Sequence, residues 1–206
     1  MRTVFAASSL IAVLVLAPAA QSSSQVSRPS DALERPFASG GRVHLDLSAG
    51  DYRIQGSADN RVRLEWSVRS PERLRRVRAR ADIRGSDAWF NLDGPDNSGF
   101  RVVVSVPRRS DLDVDLSAGE IRVEGVEGNK DVKLYAGEIR IDVGRIEDYR
   151  QVDASIWAGE IQAAAFSTSK DGLFRSFEWT GTGPYRLHAS LWAGEVWLYS
   201  NENRSR

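Results

Sequence analysis

The chain has no cysteine among its 206 residues, and it has only two histidines and one methionine. The absence of cysteine excludes a disulfide framework and any thiolate metal site. Stability must therefore come from packing and from backbone hydrogen bonds. An excess of charge of one sign is also lacking, because 28 Lys and Arg residues balance 28 Asp and Glu residues. Such a balance gives no general reason to expect nucleic acid or an anionic membrane as a partner.

Long apolar runs are lacking as well, with one exception at the N-terminus. The run from Val4 to Leu16 follows the lone positive charge of Arg2, and Ala17-Pro18-Ala19 supplies small residues for cleavage. This run is short for a membrane span, which needs about 20 residues. We therefore predict a signal peptide over residues 1–19 and an exported protein, periplasmic or extracellular. An uncleaved N-terminal anchor is the alternative.

The rest of the chain divides into a leader, one domain and a tail. Segment 20–36 is polar, with two prolines and few apolar residues, which is typical of a flexible leader. Residues 37–200 are enough for a single domain with a substantial core, and 201–206 form a C-terminal tail. The short stretch 71–76 (PERLRR) is the one candidate for a helix.

One short phrase occurs five times within this domain. Aligned on an Ala-Gly pair, the copies read LDLSAGDYRIQ, VDLSAGEIRVE, VKLYAGEIRID, ASIWAGEIQAA and ASLWAGEVWLY, at Gly50, Gly119, Gly137, Gly159 and Gly194. Apolar and polar residues alternate on both sides of the pair, which is typical of half-buried strands. The glycine indicates a position that needs an unusual backbone angle. Each phrase thus predicts a strand, a tight corner and a second strand, with both apolar sets facing one interior.

The spacing of the copies predicts the fold class. Gly119, Gly137 and Gly159 are 18 and 22 residues apart, which suits one coil of a solenoid. We predict a single-domain all-β fold, a β-solenoid or β-helix-like stack of short strands with Ala-Gly corners. An antiparallel hairpin repeat is the alternative, because a two-residue Ala-Gly turn would also place Leu116 opposite Ile121. Further strands are predicted at 61–69, 77–85, 88–92 and 100–107, with one more in the insertion 164–187.

The repeated phrase resembles the repeats of a family of adhesin-like β-strand-repeat proteins from bacterial envelopes, a family named as a domain of unknown function. Segment 101–128 (RVVVSVPRRSDLDVDLSAGEIRVEGVEG) carries the resemblance best, and 181–200 (GTGPYRLHASLWAGEVWLYS) also fits. Members more often carry Ser-Gly-Asp at the corner. The resemblance covers roughly 37–200 and implies a solenoid-like all-β fold and an envelope location. It brings no catalytic residues with it.

The residue after each glycine is acidic, and a stack would align these acids as a ladder: Asp51, Glu120, Glu138, Glu160 and Glu195. Carboxylates about 5 Å apart repel by roughly 1 kcal/mol per pair in water. Arginines stand two residues further on in three copies, at Arg53, Arg122 and Arg140, and we expect them to balance the acids on a solvated face. Calcium needs several oxygens that converge on one point, so we predict no metal site. His44 and His188 are expected at opposite ends of the stack, as exposed strand residues.

Two residues before each glycine, an outward column becomes aromatic along the chain: Ser48, Ser117, Tyr135, Trp157 and Trp192. Aromatic side chains aligned on one face can bind sugar rings or another protein. We predict that Tyr135, Trp157, Trp192 and the outward Trp197 bind a ligand. The alternative is that the insertion 164–187 covers these rings with Phe174, Phe177 and Trp179, as a second small core.

Motifs for catalysis are absent from the sequence: it has no nucleophile elbow, phosphate loop or zinc-protease motif. We therefore predict no enzyme and no cofactor. The favoured role is a non-catalytic envelope module, adhesin-like, that binds or scaffolds polysaccharide or a partner protein. One alternative is a structural protein that self-associates through the strand edges at the ends of the stack. The other is a carbohydrate-active β-helix enzyme that uses surface acids with arginine, either Asp113, Asp115 and Arg122 or Asp131 and Arg140.

Overall fold

The computed structural model describes residues 29–95 and 99–201, so the predicted signal peptide and nearly all of the predicted tail lie outside the described residues. Within them the chain forms a mixed sheet of twelve strands, one helical turn and two short 3-10 turns. The strands are β1 Ser30–Pro36, β2 Arg42–Leu47, β3 Gly50–Ser57, β4 Arg61–Ser67, β5 Arg78–Arg84, β6 Asp87–Asp93, β7 Arg101–Pro107, β8 Asp111–Glu124, β9 Lys130–Asp142, β10 Tyr149–Ala163, β11 Thr168–Thr180 and β12 Tyr185–Tyr199. The helix α1 is Pro71–Leu74, and the 3-10 turns are Ile146–Asp148 and Ala164–Phe166.

The sheet is built around four long parallel strands. Its main path runs β1-β4-β7-β3-β8-β9-β12-β10-β11. The short strands β2 and β3 pair with the first and second halves of β8, and β6 and β7 continue outward from them. The outer strands β1, β4, β5 and β11 are antiparallel to their neighbours. The prediction of an all-β chain, with a strand in the insertion, is confirmed.

Four of the five Ala-Gly pairs lie inside the long strands, and the fifth, Ala49-Gly50, lies at the junction of β2 and β3. The alternation of buried residues shifts at the pair. Before Gly119, β8 buries Leu112, Val114 and Leu116, and after it β8 buries Ile121 and Val123. A regular strand would send these two sets to opposite faces, because its side chains alternate. The shift by one residue at Ala-Gly instead directs both halves of the strand into one hydrophobic core. The copies pair in parallel, in contrast to the antiparallel hairpin alternative.

The glycines of the five copies form a ladder across the sheet, in the spatial order Gly50, Gly119, Gly137, Gly194, Gly159. Gly137 has φ +134°, and a Cβ built on it would lie 1.9 Å from the carbonyl oxygen of Gly119. Gly119, Gly159 and Gly194 are equally crowded by the next glycine of the ladder. Side chains are therefore excluded on two grounds, the backbone angle and the close approach of the neighbouring strand.

The order of strands in space differs from their order in the chain. β12 lies between β9 and β10, so that Gly194 pairs with both Gly137 and Gly159. The expectation that His188 lies at one end of the stack is therefore wrong. His188 lies on a central strand, and its partners on the two neighbouring strands are Asp131 and Asp153. Because the repeated phrases have the same pattern, alternation alone does not tell which copies become neighbours.

Part of the segment expected to be a flexible leader is ordered. Ser30–Pro36 forms strand β1, which pairs antiparallel with β4 in register from Ser30↔Ser67 to Pro36↔Arg61. Its side chains are exposed except for the half-buried Leu33. Backbone hydrogen bonds to β4, the packing of Leu33 on the core and a 2.8 Å hydrogen bond from Arg61 to Glu34 hold this strand. The polar composition of the segment did not indicate this pairing.

Candidate binding surface

Three aromatic rings are stacked face to face on the outer surface of the sheet. Trp192 lies between Tyr135, with ring centroids 6.0 Å apart, and Trp157, with centroids 4.5 Å apart. The ring planes differ by 3° and 1°. The register brings the rings together, because in-register parallel strands lie about 4.8 Å apart and place equivalent side chains side by side. Phe174 from β11 meets Trp157 edge-on at 5.5 Å. We call Tyr135, Trp192, Trp157 and Phe174 the aromatic column.

The aromatic column is open to solvent. Tyr135 is 64% exposed, Trp192 45%, Trp157 39% and Phe174 72%. The predicted alternative was that the insertion covers these rings. In the structure Phe177 and Trp179 instead pack on Phe166, each with ring centroids 5.2 Å apart, against the main core. Of the three insertion residues, Phe177 and Trp179 thus pack on the core, and only Phe174 reaches the edge of the column, whose rings stay exposed.

Phe174 holds an unusual backbone conformation at the edge of the column. Its φ is +52°. Phe174 is not among the paired residues of β10 and β11, which lie on either side of it at Ile156↔Arg175 and Ala158↔Leu173. A left-handed conformation is rare for a bulky residue and costs about 1–2 kcal/mol. Residues kept in such conformations cluster at functional sites, and this one lies next to Trp157.

Trp197 lies apart from the aromatic column. It follows Gly194 on β12, so the shift of alternation at Ala-Gly puts it on the outer face of the second half of the strand. There its ring lies 5.4 Å from the guanidinium of Arg140, and its Nε1 donates a hydrogen bond of 3.0 Å to Glu195. The structure therefore brings together three of the four predicted binding residues and separates Trp197 from them.

Four of the five acids of the ladder are balanced by neighbours on their own strands, whereas Asp51 of β3 lies 3.7 Å from Arg101 of β7. Glu120 contacts Arg122 at 3.2 Å, and Glu138 contacts Arg140. On β10, Gln162 donates a hydrogen bond of 2.8 Å to Glu160. On β12, Trp197 stands at the position of Gln162 and donates its indole N–H to Glu195. The expectation of a solvated ladder balanced by arginine is confirmed for Glu120 and Glu138. Among residues 29–95 and 99–201, no group of three or more His, Asp or Glu side chains could hold a metal ion.

The residues considered for catalysis are divided between two faces. Asp113, Asp115 and Asp131 precede the glycines of β8 and β9, whereas Arg122 and Arg140 follow them. Asp113 lies 2.9 Å from Nδ1 of His44, and Lys133 lies 3.5 Å from Asp131. A second pair, His188 Nδ1 and Asp153, is 3.0 Å apart. These contacts form a row of ion pairs and hydrogen bonds that does not bring the acids and arginines to one point.

A buried lysine is the feature that the sequence analysis missed. Lys130 is 2% exposed and pairs with Leu112 and Leu187 of the neighbouring strands. Its Nζ donates hydrogen bonds to the hydroxyl of Tyr149 at 2.7 Å and to the carbonyl of Gly128 at 3.2 Å. Burial lowers the pKa of Lys130 to about 8. The signal was present in the sequence, because the other four copies carry Val or Leu seven residues before the glycine.

Comparison with known proteins finds a likeness in structure. No family model matches the chain, and no curated protein matches it either. A solved structure of a "putative cell adhesion protein" from Clostridium sporogenes matches with a TM-score of 0.56 at 11% identity, over 84% of this chain and all of that one. A "putative adhesin" from Parabacteroides merdae matches with a TM-score of 0.25 at 13% identity, over 55% of this chain and 52% of that one. No helix in the described ranges is long and apolar enough to cross a membrane. The chain thus shares the fold of the Clostridium sporogenes protein.

Proposed function

We propose that this protein is a non-catalytic, adhesin-like binding module of the cell envelope that recognises polysaccharide at the aromatic column. The observation that carries the proposal is the exposed stack of Tyr135, Trp192 and Trp157 on one face of the sheet. Contiguous exposed apolar patches are uncommon on soluble monomers and are often functional. Aromatic rings also combine a large apolar surface with polar atoms, which suits sugars.

Serine hydroxyls next to the column support a carbohydrate ligand. Ser190, Ser155 and Ser176 lie side by side on β12, β10 and β11, each two residues from an aromatic residue of the column. Small hydroxyl side chains leave room beside the rings and can both donate and accept hydrogen bonds. An apolar surface with a few convergent polar groups is the usual make-up of a small-molecule site.

The envelope location rests on the N-terminal sequence and on the fold. The predicted signal peptide would export the chain, and the stacked parallel strands are consistent with a solenoid-like module. The Clostridium sporogenes protein that shares the fold is named for cell adhesion, which agrees with a binding role on a surface. A binding module needs no catalytic group, and we propose that this chain is not an enzyme.

The test is retention of the purified protein on immobilised envelope polysaccharides. We expect Trp157→Ala/Trp192→Ala to lose binding by about tenfold or more, since each lost stacking contact is of the order of 1 kcal/mol. The matched control is Trp89→Ala, because Trp89 is also 39% exposed but stacks on His44 outside the column. Absence of binding by the folded wild-type protein, or equal loss in the control, would contradict the proposal.

Self-association is a second candidate function, which the edge strand β11 favours. β11 spans Thr168–Thr180 at the end of the sheet and pairs with β10 on one side. An edge of this length is a template for a strand of another copy. Light scattering over a range of protein concentrations tests this role. A mass that rises with concentration, and falls again when Ser176 is replaced by Pro, supports assembly; a constant mass excludes it.

A further inference from the structure

We infer that the aromatic column binds a sugar ring without an acid group on the open face of Tyr135, directly above Ser117. The inference rests on the proposed function and states where on the column a ring is held. It follows from the way the rings are stacked, because stacked rings cover each other's faces.

The faces within the column are already occupied. Trp192 has Tyr135 on one side and Trp157 on the other. The far side of Trp157 meets the edge of Phe174. The side of Tyr135 that points away from Trp192 faces β8, and Tyr135 is the most exposed of the three stacked rings. A flat ligand can therefore extend the stack at Tyr135, whereas along the rest of the column it meets ring edges.

The neighbouring positions on β8 and directly after β2, which continue the row of the three stacked rings, carry small side chains. The residue of β8 that corresponds to Tyr135 is Ser117, and the position beyond it is occupied by Ser48. Ser117 is exposed, and its hydroxyl makes no hydrogen bond with the described residues. Each step along the line is about 4.8 Å, close to the 4.5 Å between the rings of Trp157 and Trp192. The space above Ser117 thus has the thickness of one stacked ring.

Two polar side chains of β8, those of Asp115 and Ser117, lie beside this space. Asp115 precedes Ser117 by two residues on the same face of β8. In the register of the strands, Asp115 lies opposite Lys133 of β9. The carboxylate of Asp115 and the hydroxyl of Ser117 can accept hydrogen bonds from sugar hydroxyls. A ring held by Tyr135 would therefore meet acceptors along one edge, which gives it a fixed orientation.

The charge of the surroundings selects among sugars. Asp46 of β2 is the strand partner of Asp115, and Asp113 and Asp131 lie two residues earlier in the register on β8 and β9. The ammonium group of Lys133 lies 3.5 Å from Asp131 and 3.9 Å from Asp113, so one positive charge stands against four carboxylates in this group. Desolvation raises the pKa of the Asp115 carboxyl, and the three acids raise it further, while Lys133 lowers it. An added carboxylate would be repelled by this excess of negative charge. The site therefore favours neutral or amino sugars over uronic acids.

Calorimetric titration with three oligosaccharides tests the inference: N-acetylglucosamine, glucosamine and galacturonic acid oligomers. We expect the first two to bind and the galacturonic acid oligomer to bind at least about tenfold more weakly. Ser117→Trp fills the space with a further ring and should weaken binding by about tenfold or more, whereas Ser117→Ala should change it by less than about twofold. Tyr135→Ala should weaken binding and Tyr135→Phe should retain it.

The outcomes separate this inference from the proposed function. If Ser117→Trp binds as the wild type does while Trp157→Ala/Trp192→Ala loses binding, the ligand contacts the ring edges; the inference is then overturned and the function stands. If neither variant changes binding, both fail. Preferential binding of the galacturonic acid oligomer overturns the inference, and binding of none of the three overturns it as well. Near-ultraviolet circular dichroism of each variant confirms that the fold is intact.

Discussion

The indole rings of Trp157 and Trp192 lie parallel with centroids 4.5 Å apart, although β11 separates their strands in the chain. The contact exists because Gly159 pairs with Gly194 and both tryptophans stand two residues before their glycine. The glycine ladder therefore sets the positions of the three stacked rings, those of Tyr135, Trp192 and Trp157. A shift of one residue in the pairing would move a ring to the other face of the sheet.

Replacement of Gly137 by Ala should destabilise the protein strongly. The new Cβ would lie 1.9 Å from the carbonyl oxygen of Gly119, at φ +134°. We expect a loss of about 3–5 kcal/mol in the free energy of unfolding, measured by urea denaturation. The control is Gly144→Ala, where φ is +61° and no atom lies within 4 Å of the added Cβ. There the strained backbone alone should cost about 1–2 kcal/mol. Equal losses at the two sites would contradict the steric role of the ladder.

The stacked tryptophans should be energetically coupled. A double-mutant cycle of Trp157→Ala and Trp192→Ala should give a coupling energy of about 0.5–1.5 kcal/mol in the free energy of unfolding, because the rings are in contact. The same cycle with Trp157→Ala and Trp89→Ala should be additive, since Trp89 stacks on His44 instead. A coupling near zero in the first cycle would show that the two rings contribute independently.

Stability should rise with pH in a window set by Lys130. The pKa of Lys130 is lowered by burial from its ordinary 10.5 to about 8, so between these values the unfolded chain binds more protons than the folded one. The free energy of unfolding then increases with pH. We expect a gain of roughly 1.5 kcal/mol between about pH 8 and about pH 9.5.

The variant Lys130→Met isolates this effect. Met keeps the length of the side chain and removes its charge, next to Leu112 and Leu187. The difference in unfolding free energy between wild type and variant, measured at each pH, should carry the whole rise. A difference that stays constant over this window would mean that Lys130 does not lose its proton there.

Replacement of Ser167 by Gly should stabilise the chain. Ser167 ends the 3-10 turn Ala164–Phe166 with φ 54° and ψ 37°, a left-handed conformation that costs a residue with a Cβ about 1–2 kcal/mol. Glycine loses more backbone entropy on folding, which offsets about half of that gain. We expect a rise in unfolding free energy of roughly 0.5 kcal/mol for Ser167→Gly and none for Ser167→Ala. Destabilisation by glycine would show that the hydroxyl group matters more than the backbone.

Alternation and the repeated phrase predicted much of the fold. The large apolar positions on both sides of the Ala-Gly pairs are buried, such as Val132, Leu134, Ile139 and Ile141 of β9. These predictions succeed because an amphipathic strand buries its apolar face, whichever strands it pairs with. The outward direction of Tyr135, Trp157 and Trp192 follows from the same rule.

The pairing of strands and the orientation of rings could not be predicted in this way. The position of β12 between β9 and β10 depends on which of several similar strands pair. Strand β1 buries only Leu33 in part, so its side chains show no apolar alternation that would predict its pairing with β4. The separation of Trp197 from the aromatic column depends on how the strand continues after Gly194. The face-to-face stacking of Trp192 depends on rotamers, which packing in three dimensions decides.

The position of β12 between β9 and β10 places the last described strand of the chain in the middle of the sheet. During translation, β12 is the final described strand to emerge, yet it supplies the middle ring of the aromatic column. Without β12, Tyr135 and Trp157 would have no contact through Trp192, because their strands β9 and β10 are joined through β12. A chain truncated before residue 185 would therefore lose the central strand together with the continuous aromatic column.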